Sequence, residues 1–167
     1  IYINPLAALT AEEWRFVVGH EILHVALQSW DRGAHRDPAI MEYAFDFVIN
    51  GWLVEMGIGK RPEWACYDPR LAGWSVEDVY DKIVADGLRA ERYRSMAGVG
   101  KRTVLDPPTP SWWGSAAGLD LSAYYLRCAQ TGLDLMLTTG RGSLPADLVE
   151  AIRALAHPPS PGMWRWG

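Results

Sequence analysis

The chain has 167 residues, 49% of them hydrophobic, with 20 acidic side chains against 16 basic ones. That length can bury the core of one ordinary soluble domain. The net charge of −4 argues against nucleic acid as the main partner, because phosphate binding needs clustered Lys and Arg. No apolar run approaches the roughly 20 residues of a membrane helix, so no membrane role is expected. Cys66 and Cys128 cannot make a disulfide framework, and neither stands in a CxxC motif. A reducing, cytoplasmic setting follows. The chain opens on Ile1 rather than Met, as a processed piece of a longer protein would.

Ile1-Tyr2-Ile3, stopped by Asn4-Pro5, reads as a short strand. Thr10-Ala11-Glu12-Glu13 has the capping-box pattern and opens a helix expected to run to about Trp30. Trp14, Phe16, Val17, Val18, Ile22, Leu23, Val25 and Leu27 cover nearly every side of that helix, which predicts burial all round. His20, Glu21, His24 and Gln28 are the polar exceptions.

Asp37-Pro38 predicts a cap and a first helical residue, and the second helix should reach Met56, with Gly57 as its stop. Met41, Phe45, Val48, Trp52 and Met56 form its apolar stripe, while Glu42, Asp46 and Asn50 form a polar stripe beside it at intervals of one turn. Residues 57–74 read as loop, and Ser75 caps a helix through Ile83. Further helix is expected near 88–94, 121–138 and 146–156, with a long mobile loop over 95–118. The domain is expected to span 1–157, followed by a Pro/Trp-rich tail, 158–167. Trp112, Trp113, Trp164 and Trp166 lie in the loop and the tail, where aromatics either mark a binding surface or pack on the domain.

His20-Glu21-Ile22-Leu23-His24 is an HExxH sequence. Four residues at 100° each bring two imidazoles to within about 40° on one helix face and one turn apart, so both can reach one metal ion. Zinc is the metal this donor set suits, and its open coordination position takes a water. Glu21 is the general base that would remove that water's proton as it attacks a carbonyl. A third protein ligand is required. Asp46 leads, because the 31–37 turn should fold its helix back against the first, and Glu42 and His35 are the alternatives. Asn50, one turn beyond Asp46, would hold one of the ligands in place. For stabilising a developing oxyanion, Tyr80 is the leading candidate, with Tyr43 and His157 also chemically able.

The segments Val18-Gly19-His20-Glu21-Ile22-Leu23-His24, Ala44-Phe45-Asp46-Phe47-Val48-Ile49-Asn50 and Ser75-Val76-Glu77-Asp78-Val79-Tyr80 resemble a known bacterial family. It is the metallopeptidase-like domain found N-terminal to von Willebrand factor A-type domains, and the resemblance is strongest over residues 1–85. It implies a mainly α (α+β) fold with a zincin-like core: the HExxH helix packed on a second ligand-bearing helix, with a short reduced β-sheet. It also implies His20, His24 and Asp46 as zinc ligands and Glu21 as base. A peptide or protein would be the substrate, with a von Willebrand A-type domain and a MoxR-type ATPase as partners. The chain departs from that pattern in its Ser160–Gly167 ending and in its reduced sheet, the element on which zincins hold extended substrates by strand addition.

The leading functional expectation is therefore a zinc-dependent hydrolase acting as a peptidase. The alternatives are a non-catalytic, zinc-stabilised partner-binding module and a hydrolase of non-peptide amides or esters.

Overall fold

In a computed structural model the chain is described over residues 8–27, 35–86, 121–139 and 144–156. Each early helix starts where its unpaired first-turn amides find a side-chain acceptor. Helix α1 (Ala11–Ala26) opens with a complete capping box: the Glu13 amide donates to Thr10 Oγ1 at 3.3 Å and the Thr10 amide to the Glu13 carboxylate at 2.9 Å. Helix α2 (Pro38–Glu55) has Pro38 in its first turn, and the Asp37 carboxylate accepts from the amides of Ala39 and Ile40 at 3.0 and 3.3 Å. Ser75 caps α3 (Val76–Ala85) by accepting from the Asp78 amide at 3.1 Å. Helices α4 (Leu121–Thr139) and α5 (Ala146–Ala156) complete the described elements, with one 3-10 turn at Pro69–Leu71.

The described residues are mainly helical and contain no strand. The expected strand at Ile1–Ile3, the 88–94 helix, the 95–118 loop with Trp112 and Trp113, and the 158–167 tail with Trp164 and Trp166 lie outside them. Among the described residues no helix is long and apolar enough to cross a membrane.

Helix α2 is the axis of the core. Met41, Ala44, Phe45, Ile49 and Leu53 are almost fully buried, with α1 on one flank and α3 on another. Helix α4 packs on α1 and on α5. The Trp52 indole N–H donates to the Asp147 carboxylate at 2.6 Å, tying α2 to α5. All-round burial was the expectation for α1, and here the structure corrects the sequence reading. Only Phe16, His24 and the capping Leu27 are buried there, and Ile22 is 54% exposed. Apolar residues on every side say which faces tolerate contact, not how many neighbours arrive. Among the described elements α1 meets α2 and α4. It also ends at Ala26 rather than near Trp30.

Two glycines set how closely α1 approaches α2. A Cβ on Gly19 would stand 3.1 Å from the Leu53 side chain, so this position, adjacent to His20, is where the helices draw together. Gly59 has φ +66°, and a Cβ there would stand 2.4 Å from the Glu12 carbonyl oxygen and 2.6 Å from the Phe16 nitrogen. The backbone leaving α2 therefore lies directly on the first turns of α1, and the Lys60 amide donates to the Glu12 carbonyl at 3.0 Å. This turn clamps the two helices at one end of their interface.

Candidate metal centre

His20 and His24 stand one turn apart on α1, and Asp46 and Asn50 one turn apart on α2. Contacts pair His20 with Asn50 and His24 with Asp46, so the two helices run antiparallel where they meet. The Nε2 atoms of His20 and His24 are 3.0 Å apart, and Asp46 Oδ1 lies 3.3 Å from the first and 3.1 Å from the second. His24 is 1% exposed, with the Phe45 ring 6.0 Å away between centroids. His20 and Asp46 keep 17% and 26% of their side chains accessible, so the group is reachable from one side.

That triangle can be tested against a metal ion. Donors at about 2.0–2.1 Å from a tetrahedral zinc lie about 3.3–3.4 Å from one another. Of the observed edges the 3.3 Å one matches that figure, and those of 3.0 and 3.1 Å fall short of it by a few tenths of an ångström. The hydrogen count points the same way. His20 Nδ1 is 2.8 Å from Asn50 Oδ1, while the Asn50 NH₂ donates to the Cys66 carbonyl at 2.7 Å. A carbonyl only accepts, so the Asn50 oxygen faces His20 and Nδ1 must be the donor. A neutral His20 then turns its Nε2 lone pair toward His24 and Asp46. Three electron-rich atoms in mutual contact need a proton or a cation between them. The residues present fit a divalent ion.

Electrostatics reflect the same demand. Burial pulls the His20 pKa down, but the hydrogen bond and charge of Asp46, the Asn50 contact and the Glu21 charge outweigh it and hold the pKa above the ordinary value. Burial pushes Asp46 up, and the hydrogen bonds and charges of His20 and His24 override it, leaving that carboxyl below its usual range. Burial first, and then the Asp46 charge, drive the Cys66 thiol up to about 11. Cys66 thus keeps a neutral thiol and contributes its carbonyl.

Among the described residues, His20, His24 and Asp46 are the group of His, Cys, Asp and Glu side chains able to share one ion. Neither alternative third ligand joins it: His35 is exposed, and Glu42 lies one turn from Asp46 outside the group. Glu21 is half-buried beside His20, close enough for its charge to act on that ring, and has no hydrogen bond or ion pair with any described residue.

Tyr80 is not brought to the group. Its hydroxyl accepts from the Asp37 amide at 2.9 Å, and Arg36 stacks over its ring at 5.4 Å. Asp37 precedes Asp46 by nine residues, about 13 Å along the helix axis. Tyr80 therefore caps α2 instead of facing the His20–His24–Asp46 group. Tyr43 is buried in the core, and His157 lies outside the described residues. The participant that side-chain patterns miss is the Cys66 carbonyl, a backbone group to which periodicity and motif spacing are blind.

Comparison with known proteins adds one finding. Residues 1–117 match the family described as "putative metallopeptidase domain". No curated protein and no solved structure matches the chain.

Proposed function

The chain belongs to that metallopeptidase family, and on this premise we propose that it is a zinc-dependent hydrolase cleaving peptide bonds through His20, His24, Asp46 and Glu21. The observation that carries the reading is the triangle of His20 Nε2, His24 Nε2 and Asp46 Oδ1 with edges of 3.0–3.3 Å. Zinc bound there would supply Lewis-acid polarisation of the scissile carbonyl and make a water easier to deprotonate. Glu21, adjacent to His20 and free of protein partners among the described residues, would accept the proton of the attacking water and return it to the leaving amine. Asn50 would hold the His20 ring through Nδ1. The packing of α1 on α2 supports the helical half of a zincin-like core.

The experiment is metal analysis joined to peptide-library cleavage. The expected result is one zinc per chain, loss of zinc in His24→Ala, and retention of zinc without cleavage in Glu21→Gln. Cleavage by Glu21→Gln at the wild-type rate would refute the mechanism.

A second reading, a zinc-stabilised module that binds partners without cleaving them, is favoured by the exposed Ile22 on the ligand helix and by Trp64, at 54% and 62% exposure. Partner binding that survives Glu21→Gln, with no cleavage by wild type, would select it. The partners proposed under either reading are a von Willebrand A-type domain and a MoxR-type ATPase, on the strength of the sequence resemblance. The cytoplasm is the proposed compartment, since both cysteines are free thiols.

A further inference from the structure

Asn50 is 2% exposed and uses both ends of its amide: oxygen toward His20 Nδ1 at 2.8 Å, nitrogen toward the Cys66 carbonyl at 2.7 Å. The Cys66 carbonyl can only accept, so it fixes which way the amide points. The amide in turn fixes which His20 nitrogen carries the hydrogen. Without that oxygen, the ring could place its hydrogen on Nε2, directed at His24 and Asp46, where it would block a metal.

The segment that supplies the carbonyl is held unevenly. Before Cys66, Gly59 and Lys60 sit tightly on α1. After Cys66, Tyr67, Pro69, Leu71 and Trp74 face Val48 and Trp52 across a cavity of about 230 Å³. Val48 and Trp52 lie on the side of α2 away from Asp46 and Asn50, with Phe47 between the two sides. Pro62 is buried and Ala65, Cys66 and Leu71 pack against the core, and the Asn50–Cys66 bond adds a polar tie between the segment and the face of α2 that meets His20.

We propose that Asn50 is a positioning residue with two tasks: it holds His20 in the ring form that accepts a metal, and it couples metal occupancy to the order of the Cys66 segment. This rests on the metal reading above. An ion that fixes the His20 ring fixes the Asn50 oxygen, and the same planar amide then fixes the Cys66 carbonyl.

The test compares wild type, Asn50→Leu and Asn50→Asp. Zinc affinity is measured by competition with a chromophoric chelator, and hydrogen exchange over residues 61–68 is followed with and without zinc. Asn50→Leu is expected to lose about 10–100-fold in zinc affinity and all zinc-dependent protection of the segment. Asn50→Asp keeps an acceptor for His20 but has no hydrogen for Cys66. It should stay within a few-fold of wild-type affinity while losing the protection. This split, affinity kept and coupling lost, is one that general destabilisation would not produce. Wild-type affinity in Asn50→Leu, or an equal loss of affinity in both variants, would overturn the proposal. Failure of wild type itself to bind zinc would instead refute the metal reading beneath it.

Discussion

Under the proposed zinc reading the His20–His24–Asp46 group makes opposite demands on protons with and without the ion, and melting temperature can read both. In the metal-free chain the His20 pKa is raised above its ordinary 6.5. Its contribution to stability is therefore fully present below pH 6.5 and is lost as pH rises through the folded-state value. Asp46 is lowered from 3.8, so its contribution is complete above that pH and is lost only in stronger acid. Between pH 5.5 and 8 the raised His20 pKa should therefore make the metal-free protein weaken as pH climbs past 6.5. Zinc reverses the sign, because it binds the deprotonated ring. Below the folded-state pKa of His20, one proton must leave for each ion bound. At fixed excess zinc the gap between loaded and metal-free protein should then widen by about 1.4 kcal/mol per pH unit. For a chain of this size that is about 3–6 °C in melting temperature per pH unit. Calorimetric melts in zinc and in chelator at half-unit steps from pH 5.5 to 8 measure the gap directly. A gap that stays constant across this range would show that zinc does not compete with the His20 proton, and the assigned ligand set would be wrong.

Gly59→Ala should destabilise by about 2–3 kcal/mol in urea unfolding. The positive φ costs about 1–2 kcal/mol, and lifting the turn off the Glu12 carbonyl breaks the Lys60 hydrogen bond, worth about 1 kcal/mol; a loss under 1 kcal/mol would contradict the close contact at that turn. Tyr80→Phe should leave zinc affinity and turnover unchanged while costing about 0.5–1.5 kcal/mol of stability, since its hydroxyl serves the Asp37 amide; a selective fall in kcat would restore it to the reaction. Glu42→Ala should leave zinc affinity within a few-fold of wild type by chelator competition, whereas Asp46→Ala should abolish tight binding.

What the sequence disclosed and what it withheld divide along a physical line. Thr10, Asp37 and Ser75 announce their helices because capping is a contest among neighbours in the chain, settled within four residues. His20 and His24 declare a shared face for the same reason, since helix geometry alone brings them together. The exposure of Ile22 depends on which elements settle beside α1, and a chain plotted on a helical wheel does not contain that. Tyr80 has the chemistry of an oxyanion partner, but its hydroxyl goes to a helix start 43 residues earlier in the chain. The Asn50–Cys66 contact was beyond reach because any residue at position 66 brings a carbonyl.

Between these limits lies Asp46, where local periodicity and one tertiary fact together suffice. In an antiparallel pair of helices, residues at the same level have position numbers with a constant sum. His20 with Asn50 and His24 with Asp46 both give 70. Glu42, one turn before Asp46, then falls about 6 Å along the axis beyond the level of His24, and a carboxylate one turn out cannot close a triangle whose edges are 3.0–3.3 Å. The polar stripe on α2 narrows the third ligand to two carboxylates, and the register of the α1–α2 interface decides between them. Gly19 sets how near the helices come, so a residue with no side chain helps determine which acid can reach the two imidazoles.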